Sequence, residues 1–229
     1  MSYSIVRTAQ VFLWARTKDK EKRTIKDYQN ISVKPESVVG MLDFDILFGR
    51  SAPVEMEVGS GKGTFLLEEA RAFPEKNFFG VEWANKYYKY AVDRMGRWDM
   101  ANVRLMRTDA AGFIAEHIPS ESIGVFHLYF PDPWPKKRHN KRRFFCDENL
   151  TQLLRILKAD GIINIATDHA DYFEQMTEVA GRAVEQGRVK EIEFICPAGA
   201  QEGEIVGTNY ERKYMKEGRK TYTLALQKI

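Results

Sequence analysis

A chain of 229 residues with 44% hydrophobic and 29% charged residues has the length and balance of one large soluble α/β domain or two small ones, and excludes a disordered or fibrous protein. A net charge of +3 is too mild to imply a partner on average, so local clusters of charge have to carry that question. Two cysteines without short metal-type spacing and four scattered histidines (His117, His127, His139, His169) exclude a zinc site or disulfide framework and imply no metal. Residues 1 to about 50 read as an N-terminal appendage, flexible or lying along RNA. In it Arg16–Lys26 is dense in mixed charge, Val33–Ser37 reads as a loop, and Met41–Phe48 is apolar enough to pack against the main domain. No apolar run approaches signal-peptide or membrane-spanning length, so a cytoplasmic monomer or homodimer without membrane contact is expected.

From Pro53 the pattern becomes regular, and residues 51–229 read as one domain. Strands are predicted at Val54–Val58, Phe78–Glu82, Val103–Arg107, Ile123–Phe130, Gly161–Thr167, Glu191–Ile195 and Tyr222–Gln227. Between them the 3.6-residue period predicts helices at Thr64–Phe73, Ala84–Met95, Ala111–His117, from Phe144 or Asp147 to Leu157, and Tyr172–Gln186. Strands alternating with helices imply a doubly wound, mostly parallel seven-stranded sheet covered on both faces, a Rossmann-like α/β fold. Thr208-x-x-Glu211 is a capping box for a short helix through Lys216.

The first predicted strand runs into Glu57-Val58-Gly59-Ser60-Gly61-Lys62-Gly63-Thr64, a turn where glycines let a ligand approach the backbone. A dinucleotide site wants G-x-G-x-x-G, and here the third glycine comes one residue early. A P-loop wants G-x-x-x-x-G-K-[ST], but Met56 holds the place of its first glycine and Gly63 follows the lysine. What fits is E-x-G-x-G-x-G, the pattern of class I methyltransferases that bind S-adenosylmethionine. That cofactor carries an ammonium and a sulfonium rather than a pyrophosphate, so an acid at Glu57 suits it. Glu82 ends the second strand, where a carboxylate can accept from ribose hydroxyls. Asp109 follows the third, placed either to accept from the adenine amino group or to cap a helix. Glu57, Gly59, Glu82 and Asp109 are therefore the expected cofactor contacts.

The fourth strand stops at Pro131-Asp132-Pro133. Two prolines fix φ on either side of Asp132 and present its carboxylate on a stiff turn at a strand end. Trp134 follows, then Lys136–Arg143, in which six of eight residues are Lys or Arg. A rigid acid beside an aromatic and a block of cations suits a base whose phosphates lie alongside.

Four strings, EVGSGKG (Glu57–Gly63), FPDPWPKKRHNKRR (Phe130–Arg143), ATD (Ala166–Asp168) and TNYE (Thr208–Glu211), resemble the bacterial tRNA (guanine-N7-)-methyltransferases, a likeness that covers roughly Pro53 to Lys228. The resemblance implies methyl transfer from S-adenosylmethionine to N7 of the variable-loop guanosine of tRNA conventionally numbered 46. It implies cofactor contacts at Glu57, Glu82, Asp109 and Asp132, the last also catalytic. Substrate contacts fall on Lys136, Asp168, Thr208, Asn209, Tyr210 and Glu211, and the RNA-interacting run on Arg138, His139, Asn140, Lys141, Arg142 and Arg143. The chemistry agrees with the residues. Guanine N7 has a lone pair and no proton, so alignment and a carboxylate near the developing charge suffice without a base. Acids such as Asp168 or Glu211 can hold the ring by accepting from its N1–H and N2–H₂. Two alternatives remain open. One is an amino-group methyltransferase, whose Asp/Asn-Pro-Pro-aromatic turn is similar to Pro131–Trp134. The other is an RNA-binding protein that kept the fold and lost catalysis. The glycine spacing disfavours an NAD-dependent oxidoreductase.

Overall fold

The strands Val54–Val58 and Asn77–Val81 are buried along their whole length, and the helices between the strands bury one face. The structure, a computed structural model, describes residues 24–229. Most of the mixed-charge stretch Arg16–Lys26 lies outside the described residues. Among the described residues no helix is long and apolar enough to cross a membrane. The strands are β1 (Ser32–Val33), β2 (Val54–Val58), β3 (Asn77–Val81), β4 (Val103–Met106), β5 (Ile123–Tyr129), β6 (Leu157–Thr167), β7 (Val189–Ile192) and β8 (Tyr222–Lys228). They form one sheet in the order β1-β4-β3-β2-β5-β6-β8-β7. β1 to β6 pair in parallel, whereas β8 is antiparallel to both β6 and β7. The expected seven strands become eight. The extra one, β1, adds Ser32 and Val33 to the edge at β4, and two residues are too short to show a period.

The helices are α1 (Phe44–Phe48), α2 (Thr64–Ala72), α3 (Asn85–Arg97), α4 (Ala110–His117), α5 (Asp147–Ile156), α6 (Ala170–Glu185) and α7 (Asn209–Lys216). On one side of the sheet Phe65, Leu66 and Ala70 of α2 and Ala91, Val92 and Met95 of α3 bury against Phe78 and Leu105. On the other, Phe113 and Ile114 of α4, Leu150 and Leu153 of α5, and Met176 and Val179 of α6 cover Phe79, Phe126, Ile163 and Ile165. Each such Phe, Leu or Ile contributes about 1.5–3 kcal/mol on full burial, so the two layers fix the sheet and hold its strand ends in place. Leu42, Phe44 and Phe48 join the second layer, as the apolar stretch Met41–Phe48 suggests, although Met41 and Ile46 within it are 59% and 81% exposed.

The strand order reverses between β3-β2 and β5-β6, and β2 pairs with both β3 and β5. In an open α/β sheet this reversal opens a crevice beyond the carboxyl ends of the strands, the usual place for a ligand. Glu57 lies one residue from the end of β2, and Asp132 lies three residues past the end of β5.

Candidate active site

The turn after β2 is built by glycines in the left-handed region: Gly59, Gly61 and Gly63 have φ of 80°, 54° and 67°. At Gly63 a Cβ would approach Met95 Cε to 2.8 Å and Ala91 Cβ to 3.1 Å, so a side chain there would be strained by the positive φ and would crowd the contact between α3 and the start of α2. At Gly61 a Cβ would lie 3.3 Å from the Tyr210 ring, which rests against the turn. Gly61 N donates to Glu82 Oε2 at 2.7 Å and Ala84 N to Glu82 Oε1 at 2.7 Å. One carboxylate thus braces both loops of the crevice, and its remaining lone pairs stay available to a hydroxyl. Burial raises the pKa of Glu82, and the negative charge of Asp132 adds to it, against the lowering by the backbone amides.

Two adjoining lobes open here, of about 240 and 390 Å³, and share Gly59, Tyr87 and Tyr210 in their walls. The smaller is lined by Glu57, the glycine turn, Tyr129 and the start of α7 (Thr208, Asn209, Tyr210). The larger holds Glu82, Asp109, Asp132, Trp134, Arg142 and Asp168. The structure therefore brings together the acids of four strand ends, β2, β3, β4 and β5, as the sequence suggests.

Glu57 decides whether S-adenosylmethionine fits. Its carboxylate is buried, its Oε2 has no hydrogen-bond partner, and burial pushes its pKa up to about 8. A buried acceptor without a donor is unfavourable by itself and favourable beside a cation. A ligand with an ammonium or sulfonium meets that need by stabilising the ionised carboxylate, which a pyrophosphate would not do. With Glu82 for the ribose and Asp109 at the far end, the residues fit the cofactor. Asp109 is also the N-cap of α4, Oδ2 accepting from Gly112 N at 2.9 Å, so both of its expected roles fit one carboxylate.

Asp132 is exposed in the larger lobe on a strained turn: Phe130 and Trp134 have φ of 50° and 44°. For bulky residues such values cost on the order of 1–3 kcal/mol each and persist only when the surroundings enforce them. The basic run then forms a 3₁₀ helix over Lys137–Arg142. Lys136, Lys137, Arg138, Lys141 and Arg142 are exposed, and the Arg142 guanidinium lies 5.0 Å from the Trp134 ring centroid. His139 meets the same ring edge-on, and the Asn140 amide nitrogen, oriented to donate, lies 3.1 Å from the carbonyls of Trp134 and Lys136.

Two expected RNA or base contacts sit inside the protein. Arg143 is 3% exposed and donates to the Pro133 carbonyl and the Gln175 side chain at 2.8 Å each and to the Asp171 carboxylate. A buried guanidinium with three internal acceptors does not dock a phosphate. Glu211, expected to accept from guanine, is 1% exposed. Its oxygens accept from the amides of Ile205, Val206 and Gly207 at 2.6, 2.9 and 2.7 Å, so it fixes the loop before α7. Half of the capping box forms: Thr208 Oγ1 accepts from Glu211 N at 3.1 Å, while the Glu211 carboxylate reaches the preceding loop and not Thr208 N. Asp168 lines the larger lobe, paired with Arg219 at 2.7 Å.

Thr64 and Arg94, which the sequence did not single out, hold the expected contact Asn209 in place. Thr64 Oγ1 accepts from Asn209 Nδ2 and from Arg94 Nη1, each at 2.6 Å, which hooks α7 onto the start of α2. Burial, helped by Tyr87, pushes the Tyr210 phenol up to about 12, so it remains a neutral donor. Behind the glycine turn His127 Nε2 lies 2.8 Å from Glu55 Oε2 and Nδ1 lies 2.9 Å from Tyr129 OH, with Lys76 Nζ 2.8 Å from Glu55 Oε1. Burial works against charge on Glu55, but His127 and Lys76 outweigh it and hold its pKa below the ordinary value. The available signal was the period-2 spacing that puts Glu55 and Glu57 on one face of β2 and His127 and Tyr129 on one face of β5, where Glu57 is the register partner of His127. His127 is thus a hydrogen-bonding residue of the interior. Among the described residues no group of three or more His, Cys, Asp or Glu could hold a metal ion.

A family model described as "Putative methyltransferase" matches residues 51–224. The chain is 34% identical over 202 residues to the tRNA (guanine-N(7)-)-methyltransferase of Rhodopirellula baltica, covering 85% of this chain and 73% of that protein. It is 35% identical over 189 residues to the protein of the same name from Alkalilimnicola ehrlichii, covering 82% and 77%. Among solved structures, a 30S ribosomal A1408 methyltransferase from an uncultured bacterium is similar with a TM-score of 0.54 at 15% identity, covering 84% of this chain and 98% of that one. The antibiotic-resistance methyltransferase Kmr gives 0.54 at 15%, covering 82% and 92%. Likeness at that identity is one of fold, which is the Rossmann-like class I methyltransferase fold. The sequence relatives go further, since they align over more than four fifths of the chain, and the chain belongs to the tRNA (guanine-N(7)-)-methyltransferase family.

Proposed function

We propose that this chain transfers a methyl group from S-adenosylmethionine to N7 of guanosine in tRNA, at the variable-loop position numbered 46. The observation that carries the reading is the convergence of Glu57, Glu82, Asp109 and Asp132 on two adjoining lobes of one crevice, where Trp134 and Arg142 of the basic run also line the wall. When bound, S-adenosylmethionine supplies a methyl group on a sulfonium, an electrophile that needs no activation. Glu57 is the acceptor for the ammonium of its methionine part, Glu82 for the ribose hydroxyls, and Asp109 for the adenine amino group.

Guanine N7 attacks with its in-plane lone pair, so no residue has to remove a proton. The chain's task is to hold the ring in line and to exclude other geometries. Positive charge develops on the purine as the N7–carbon bond forms. Asp132, fixed on its proline-flanked turn, offers a carboxylate to that charge and is the residue assigned to catalysis. Asp168 can accept from N1–H or N2–H₂ with the lone pairs that Arg219 leaves free. The exposed Lys136, Lys137, Arg138, Lys141 and Arg142 meet phosphates of the flanking backbone. Incubating the protein with labelled S-adenosylmethionine and bulk tRNA, then digesting to nucleosides, tests the reading. Label in 7-methylguanosine is expected. Label in an N2- or N6-methylated nucleoside, or none at all, would refute it.

A further inference from the structure

We infer that Arg143 is a positioning residue that clamps the Asp132 turn from beneath, and that it takes no phosphate. The inference rests on the assignment of Asp132 to methyl transfer. Pro133, next to Asp132, has no N–H, so its carbonyl is the one backbone polar atom by which the residue can be held. Arg143 Nε donates to that carbonyl at 2.8 Å. The other arms of the guanidinium reach across to α6, to Gln175 Oε1 at 2.8 Å and to the Asp171 carboxylate, and its face lies 4.8 Å from the Tyr172 ring centroid. The Tyr172 hydroxyl in turn accepts from Phe145 N at 2.9 Å. The first turns of α6 therefore hold the chain on both sides of Arg143. The clamp stands beside the strained Trp134, where a turn needs enforcement from its surroundings. A planar fork with donors in fixed directions can bridge Pro133 to α6, and a lysine ammonium cannot reproduce that geometry.

Placement of this kind acts on rate more than on binding, because a misplaced group loses alignment while the docking surface stays intact. Three substitutions test it: Arg143→Lys, Arg143→Gln, and Asp171→Ala, which removes an exposed partner of the clamp. Methyl transfer is measured at saturating cofactor and tRNA, tRNA affinity across a salt series, and hydrogen exchange without cofactor or RNA at the two amides that flank the clamped segment, those of Phe130 and Phe145, which donate to the Ala166 carbonyl and the Tyr172 hydroxyl. Expected are a fall of roughly tenfold to a hundredfold in the saturated rate for both Arg143 variants, a smaller fall for Asp171→Ala, and faster exchange at the two amides. The salt slope of tRNA binding should stay as in the unaltered protein. A phosphate ligand would behave otherwise. Arg143→Gln would make the slope shallower by about 0.7–0.9, Arg143→Lys would preserve the rate, and Asp171→Ala would tighten tRNA binding. Any of these with unchanged amide exchange overturns the inference. Should the Arg143 variants lose their cooperative melt, Asp171→Ala decides the matter alone. Exchange is read without catalysis, so an unaltered protein that fails to methylate tRNA would sink the functional reading and leave the clamp still to be judged by exchange.

Discussion

Glu82 Oε2 accepts the Gly61 amide at 2.7 Å, so the acid that ends β3 also shapes the glycine turn that follows β2. Its second oxygen holds Ala84 N at 2.7 Å. Replacing Glu82 by Ala removes the proposed ribose acceptor and frees two backbone amides at once. Affinity for S-adenosylmethionine should fall by about 1.5–3 kcal/mol, the range for a hydrogen bond to a charged group. Titration calorimetry on the folded variant checks this, and an unchanged affinity would remove Glu82 from the cofactor site.

Glu57 predicts a pH dependence. Without cofactor its pKa is raised by burial from 4.5 to about 8, so between those values the folded chain binds more protons than the unfolded one. Its contribution to stability is thus fully present below about pH 4.5 and is lost as pH rises through about 8. A cationic ligand prefers the carboxylate. Cofactor binding at neutral pH should therefore release a proton, and affinity should rise with pH until about 8. Calorimetry at pH 7 in buffers of different ionisation enthalpy measures the proton count. Glu57→Gln should abolish the release and flatten the stability profile over the same window.

The parts of this molecule that were legible in the sequence are those fixed by local pattern. The acids at strand ends were found because glycine spacing and strand periodicity place them without knowledge of any distant partner. α3 and α6 were legible because their apolar positions keep a helical period. The start of β6 was not: Ile123 pairs with Leu157 but Val125 with Ile162, and the exposed residues Lys158, Ala159 and Asp160 bulge out between them. β7, expected at Glu191–Ile195, runs over Val189–Ile192, since a short edge strand takes its register from its antiparallel neighbour β8. Arg143 and Glu211 show the limit most clearly. In the sequence one is the last of a run of cations and the other a capping acid. Their burial follows from Asp171 and Gln175 on α6 in the first case and from the loop amides of residues 205–207 in the second. Residue type announced charge, and the fold decided what the charge meets.

The exposed half of the basic run should behave as an electrostatic docking surface. Lys137 and Lys141 lie on the 3₁₀ helix with their side chains in solvent. Replacing both by Ala should weaken tRNA binding and make the slope of log K against log salt shallower, by about 0.7–0.9 for each phosphate left without its lysine. Cofactor affinity should not change. Filter binding across a salt series checks the slope, and an unaltered one would make these lysines ordinary solvated charges.

Glu211 allows a stability test. Its carboxylate holds three backbone amides, and Val206 and Gly207 are buried beside it. Glu211→Ala leaves those donors unsatisfied, which should destabilise the loop before α7 by about 1–3 kcal/mol for each buried group that water cannot reach. Thermal denaturation should show the loss whether or not tRNA is present. A variant of full stability with weakened tRNA binding would instead restore Glu211 to the substrate.

Asp132 separates the N7 reaction from its rivals. Asp132→Asn keeps the shape of the turn, since the prolines and the Arg143 clamp act on its backbone, and removes the negative charge. If that charge stabilises the cationic purine, the rate at saturation should fall by about 2–4 kcal/mol of barrier, the order lost with one electrostatic stabiliser. Binding of tRNA should persist. Loss of the Asp132 charge should also let the Glu82 pKa fall, because Asp132 contributes to its upward shift. The substrate offers the complementary change. A tRNA carrying 7-deazaguanosine at the target position lacks the N7 lone pair but keeps the exocyclic amine and the Watson–Crick edge. It should bind in the same crevice and accept no methyl group, whereas an enzyme acting on the amine would still modify it. Single-turnover rates on both substrates, with the unaltered protein and with Asp132→Asn, give four numbers. Transfer to the 7-deaza substrate would move the reaction to the amine. An undiminished rate in Asp132→Asn would leave alignment alone, without charge stabilisation at Asp132, as the source of catalysis.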